Sequence, residues 1–274
     1  ELQKPVVARR GHFAAGKYNQ LQNTPYRALS QALRELCADI LAKPSEDVAR
    51  WRDRIVAAVG GHGALLAELI PNIELIIGAQ PPVMPLPPAE AENRFHLVFQ
   101  RFLDAMASRE HPLALFLDDV QWADAASLKL LRMLLASPET RHVLVVAAYR
   151  DNEVTEGHAL RDALEKMEQA GVPTRTISVA PLDRTTIGWL IADTVGTQVA
   201  DAAELADCVA AKTGGNPYFV REFLAALHTR DLVHYDEAAG CWAWDIDAIR
   251  KLDVTDNVVD LTAGSLRSLP AATR

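Results

Sequence analysis

The chain runs to 274 residues, enough for about two domains, and its 49% hydrophobic composition can bury a substantial core. Its 28 basic and 36 acidic residues leave a net charge of −8, so the broad cationic footprint of a nucleic-acid-binding protein is absent, which leaves room only for a local patch. Cys37, Cys208 and Cys241 are widely spaced with no CxxC, the histidines form no HExxH, and neither a membrane-length apolar run nor a signal peptide is present, so a cytoplasmic protein without a zinc site or disulfide framework is expected.

Glu1 stands in what reads as the tail of a helix, and the sequence stops shortly after a helix begins near Leu269-Pro270. Both ends read as cuts through a longer polypeptide. Arg10 to Tyr18 then reads as a short strand and its exit. Within it, Gly11-His-Phe-Ala-Ala-Gly16-Lys17 has the G-x4-G-K spacing of a phosphate-binding loop. Such a loop needs Ser or Thr after the Lys and a helix directly behind it. Tyr18 and the polar run to Thr24 supply neither, so Gly16 and Lys17 are read as structural. Thr24 is expected to cap a helix with Pro25 at its first position, and Leu29, Leu33, Leu36 and Ile40 supply its apolar stripe. Val48, Trp51, Ile55 and Val59 mark a second helix that Gly60-Gly61 breaks. The prolines at 81, 82, 85, 87 and 88 force an extended loop. Ala91 to Ala107 follows as a helix whose face of Phe95, Val98, Phe99, Phe102, Leu103 and Met106 is core.

Leu113-Ala-Leu-Phe-Leu-Asp118-Asp119 is the most informative stretch. A continuous apolar run of this kind reads as a strand buried on both faces in a parallel sheet. Two acids at its carboxyl end lie where open α/β sheets place ligands. One carboxylate can organise Mg²⁺ through its waters and the other can orient an attacking water. The plainer alternative is a buried strand ending in a solvated acidic turn. Asp124 is expected to cap the next helix. His142 to Ala148 is a second buried strand, followed by Arg150, which can hold a phosphate bidentately or pair with a neighbouring acid or water. A helix over 159–170 and a strand over Thr174 to Val179 complete an alternating pattern, which argues for a mostly parallel sheet with helices on both faces.

From Pro181 the pattern becomes helical, over 185–195, 202–212 and 217–229. Gly214-Gly-Asn216-Pro217 can close one helix and cap the next. Functionally, the same turn can pack against an adenine. Leu232 to Tyr235 and Cys241 to Trp244 flank a hairpin turn with Gly240.

Three segments together resemble a known family: Leu115 to Asp124 (Leu-Phe-Leu-Asp-Asp-Val-Gln-Trp-Ala-Asp), Ala147 to Val154 (Ala-Ala-Tyr-Arg-Asp-Asn-Glu-Val) and Gly214 to Leu224. The combination is similar to the AAA+/STAND-type regulatory ATPase module, more narrowly the Orc-like AAA ATPase domain of large bacterial signalling kinases. Arg10 to Gln20, Ala91 to Gln100 and the hairpin ending Cys241-Trp-Ala-Trp-Asp also resemble that subgroup. The resemblance implies a P-loop NTPase-like three-layer α/β/α core (1–180), a helical lid (181–230), and a β-hairpin with the start of a further helical region (231–274). It places the Walker A loop and first strand before Glu1. It implies ATP and Mg²⁺ as cofactors, with Asp118 supporting Mg²⁺, Asp119 activating water, Arg150 as the sensor arginine, and Asn216 and Pro217 on the nucleotide. Expected partners are ATP, the kinase and sensor domains of the same polypeptide, and further copies of the chain. The function implied is a regulatory ATP-hydrolysing switch. Its alternatives are an interaction scaffold on a degenerate ATPase fold and the ATPase part of an Orc- or LuxR-type transcriptional regulator.

Overall fold

The computed structural model describes residues 2–21 and 24–252. They divide into two compact units, one up to Arg175 and one from Thr176. The first unit contains, in order, α1 (Gln3–Ala8), β1 (His12–Lys17), α2 (Arg27–Leu41), α3 (Ser45–Val59), α4 (Gly63–Leu69), α5 (Glu74–Ile77) and α6 (Pro88–Met106). After these come β2 (Leu113–Asp118), α7 (Ala125–Ala136), β3 (Val143–Ala147) and α8 (Ala159–Gln169).

The three strands form one parallel sheet in the order β1-β2-β3. Helices flank it, as the apolar strands demand, and the α/β, P-loop NTPase-like class read from the sequence is the observed one. β2 is central, and its Leu113, Leu115 and Leu117 are buried. The stripe Leu29, Leu33, Leu36 and Ile40 of α2 joins the same core, with Phe99 and Phe102 of α6. Each such side chain contributes roughly 1.5–3 kcal/mol on burial.

Close packing of α2 on β1 fixes Gly16. A Cβ built there would stand 2.0 Å from the Ala28 carbonyl oxygen, so no larger residue fits without moving the helix.

Two local expectations are corrected. Helix α2 does not start at Thr24-Pro25; it starts at Arg27, because Tyr26 is left-handed (φ 61°). Tertiary contacts hold Tyr26 there: its N–H donates to the Asp124 carboxylate at 3.3 Å, and its ring lies 5.1 Å from that of Phe95. Residues 174–179 do not form a strand. A strand exists through its pairing partner, and among the described residues this segment has none. Ile177 and Val179 are 78% and 90% exposed. The proline-rich loop is extended as expected, and α6 begins a little earlier than Ala91, with Pro88 in its first turn.

The second unit comprises α9 (Arg184–Val195), α10 (Ala203–Thr213), α11 (Pro217–Thr229), the hairpin β4 (Val233–Asp236) and β5 (Cys241–Trp244), and α12 (Ile246–Lys251). Its own core contains Ile187, Ile191, Leu205, Val209, Val220, Phe223 and Leu227. The hairpin pairs Val233 with Trp244, and the Asp236 side chain accepts from the N–H groups of Ala238 and Ala239 across the turn. The helical region expected towards Leu269-Pro270 lies outside the described residues. No helix among those described is long and apolar enough to cross a membrane.

Candidate functional site

Parallel register brings three charged side chains to one end of the sheet. Lys17, the last residue of β1, pairs in register with Asp118, the last residue of β2. Its Nζ lies 2.7 Å from Asp118 Oδ2 and 2.6 Å from Asp119 Oδ2. One ammonium thus bridges both carboxylates. Lys17, read as structural from the failed phosphate-loop pattern, is thus the counter-cation of both acids.

Asp119 follows β2 in a left-handed conformation (φ 52°, ψ 43°), which Asp tolerates better than most residues. The turn is fastened to the end of β3: Val120 N–H donates to Ala148 O, and Ala148 N–H donates to Leu117 O. Its backbone N–H donates to the Asp118 carboxylate at 3.0 Å. Asp119 is only 6% exposed, so its charge requires compensation. Burial by itself would raise its pKa. The hydrogen bonds from Lys17 and Gln121 and the charges of Lys17 and Arg150 outweigh burial and hold the carboxyl below the usual range. The two carboxylates raise Lys17 in turn.

Arg150 stands just beyond β3. Its Nη1 donates to Glu153 Oε1 at 2.9 Å, its Nε is 3.7 Å from Asp119 Oδ1, and its guanidinium lies over the Trp122 ring at 5.3 Å. Gln121 ties the network together. Its Nε2 donates to Asp119 Oδ1 at 3.2 Å and to Glu153 Oε2 at 3.4 Å, while its Oε1 accepts from the Arg150 N–H. The structure thus brings Asp118, Asp119 and Arg150 together, and adds Lys17, Gln121 and Glu153, which the sequence reading did not assign to the site. The strand-end position of Lys17 was the available signal.

Asp124, the expected cap, accepts from both the N–H and the hydroxyl of Ser127 at the start of α7. Asn216 and Pro217 lie in the second unit. Asn216 Oδ1 accepts from the N–H groups of Tyr218 and Phe219, and Pro217 occupies the first turn of α11. Gly214 is left-handed. Gly215 admits no side chain, because a Cβ would meet Leu182 O at 2.2 Å. The capping turn is therefore as the sequence reading described it.

No group of three or more His, Cys, Asp or Glu side chains that could enclose a metal occurs among the described residues. The pair Asp118 and Asp119 suits a different mode. Mg²⁺ commonly keeps several waters and takes one or two carboxylates plus phosphate oxygens. The site then holds a strand-end carboxylate pair, an ammonium that bridges it and a guanidinium within reach.

The fold is of the P-loop NTPase-like α/β class. Residues 1–146 match the AAA ATPase domain family, more than half of the chain, and the chain belongs to that family. Residues 188–240 match a domain family of unknown function. The hybrid signal transduction histidine kinase G of Dictyostelium discoideum is 27% identical over 320 aligned positions, covering 94% of this chain and 9% of that protein. The chain therefore spans about a tenth of the length of that relative. No solved structure matches.

Proposed function

We propose that this chain is part of a regulatory ATP-hydrolysing module within a larger signalling protein, and that Asp118, Asp119, Lys17 and Arg150 form its metal-and-water end. Membership of the AAA ATPase domain family supports nucleotide binding. The name of the Dictyostelium relative supports a signalling setting next to kinase and sensor domains. Nothing in this reading depends on a bacterial source. The observation that carries it is the convergence of two strand-end carboxylates and Arg150 on one end of the parallel sheet.

Bound Mg²⁺ would supply charge neutralisation at the phosphates. Asp118, the more exposed acid, would hold that ion through water. Asp119, fixed by Gln121, would orient and polarise the attacking water. Arg150 would give up part of its pairing with Glu153 to contact the terminal phosphate. Lys17 would then swing away from the acids, since an ammonium and a metal ion compete for the same carboxylate oxygens. Asn216 and Pro217 are assigned to the nucleotide by the family resemblance alone. Hydrolysis would act as a switch to the extent that its two states differ in affinity for nucleotide.

The scaffold reading also has an observation in its favour: Lys17 pairs with both carboxylates and offsets part of their charge. Titrating the protein that carries this module with ATP, with and without Mg²⁺, separates the two. Asp118→Asn should abolish most of the Mg²⁺-dependent gain in ATP affinity. An unchanged Mg²⁺ dependence would remove Asp118 from the metal site, and absence of ATP binding by the parent protein would favour the scaffold.

A further inference from the structure

A separate feature lies at the opposite end of the same sheet. A cleft of about 710 Å³ opens where β1 begins, lined by Arg10, Lys43, Arg50 and Arg54 against only Asp39 and Asp47. This volume falls within the range of small-molecule sites, roughly 300–1,000 Å³. β1 has six residues, so at about 3.3 Å per residue the cleft lies roughly 17 Å from Lys17. The two sites are distinct.

Three of the four cations, Lys43, Arg50 and Arg54, are held rather than free in solvent. Trp51 carries the Lys43 ammonium at 5.7 Å from its ring centre and the Arg54 guanidinium at 5.3 Å. Arg54 also donates to the Ala107 carbonyl. Arg50 pairs with Asp47, whereas Lys43 and Arg10 make no ion pair among the described residues. Arg10 is itself in the left-handed region (φ 59°), and its carbonyl accepts from His111 Nδ1 at 2.8 Å. His12, which lines the cleft, packs edge-on against Trp51 at 5.3 Å, and its buried Nε2 has no hydrogen-bond partner.

We infer that this cleft binds a small multivalent anion of the phosphate-ester class, with Lys43 and Arg10 as its principal charge partners. Excess positive charge disfavours cationic ligands, and a neutral ligand would leave two cations unpaired. Lys43, already placed over Trp51, loses little freedom when an anion arrives, which favours binding. His12 reports the event. Burial, followed by the charges of Lys43, His111 and Arg54, holds it down to about 4, and a bound anion would offset those charges.

Pyrophosphate, titrated into the chain at low salt without divalent metal, is the probe. Binding in the range of about 100 μM is expected, with the His12 titration, followed by ring NMR, shifted up by about one unit. Lys43→Gln and Arg10→Gln, both at partly or fully exposed positions, should each weaken binding at least about tenfold with an unchanged amide spectrum elsewhere. If one variant fails to fold, the other carries the comparison. No binding at about 10 mM pyrophosphate, or binding that survives both substitutions, would overturn the assignment.

Discussion

Lys17 and Asp119 have opposite exposures and a shared function in the fold. The Lys17 side chain is more than half exposed, while Asp119 is nearly buried, yet their ion pair is 2.6 Å long. Asp119 titrates below its ordinary range despite burial, so its charged form stabilises the fold above the unfolded-state pKa. That stability is lost as pH falls through the lower, folded-state value. Lys17→Met removes the bridging cation and leaves two adjacent carboxylates. The Asp119 carboxyl should then titrate higher, and acid unfolding should begin at higher pH. Carbon-13 NMR of the carboxyl groups reads the first effect and circular dichroism the second. An unchanged Asp119 titration would show that Gln121 and Arg150 suffice without Lys17. The acids themselves were legible in the sequence, because an apolar run ending in Asp-Asp leaves little choice of position. Lys17 was not. Its contact with Asp118 spans 101 residues and arises only from the parallel register of β1 and β2.

Among the elements, packing is tightest where α2 crosses β1. Gly16→Ala would drive a methyl group into the Ala28 carbonyl, so the helix must shift. Overpacking of this kind typically costs about 1–3 kcal/mol, and a lowered Tm with unfolding measured by calorimetry should show it. A variant as stable as the parent would mean that α2 is not held where it is described. Helices with clear apolar periodicity were readable from the sequence: the stripes of α2, α3 and α6 fall on the core side. Element boundaries were less so. Tyr26 delays the start of α2 through contacts with Asp124 and Phe95, partners that no local signal reveals. The segment 174–179 has strand-like residues, but only pairing makes a strand, and its apolar side chains are exposed.

On the scale of the whole molecule, each unit has its own hydrophobic core, and the candidate catalytic residues all belong to the first. That unit gathers acids and a guanidinium at one end of its sheet. Its one G-x4-G-K sequence lies along β1, with the next helix beginning only at Arg27. A phosphate cradle of backbone N–H groups at a helix N-terminus is therefore not formed by Gly11 to Lys17. The chain of 274 residues should bind Mg²⁺·ATP weakly, with Kd above about 100 μM by calorimetry. Binding at about 1 μM or tighter would show that the phosphates are held by residues already present.

The proposed role of Asp119 is to act on the attacking water. Its most direct test is ATP turnover by the Asp119→Asn variant of the protein that carries this module, with nucleotide affinity measured alongside. Removing such a positioning carboxylate should lower the hydrolysis rate by about 10²–10⁴ while ATP still binds within a few-fold of the parent. Turnover at the parental rate would contradict the account and reduce the pair to an acidic turn neutralised by Lys17.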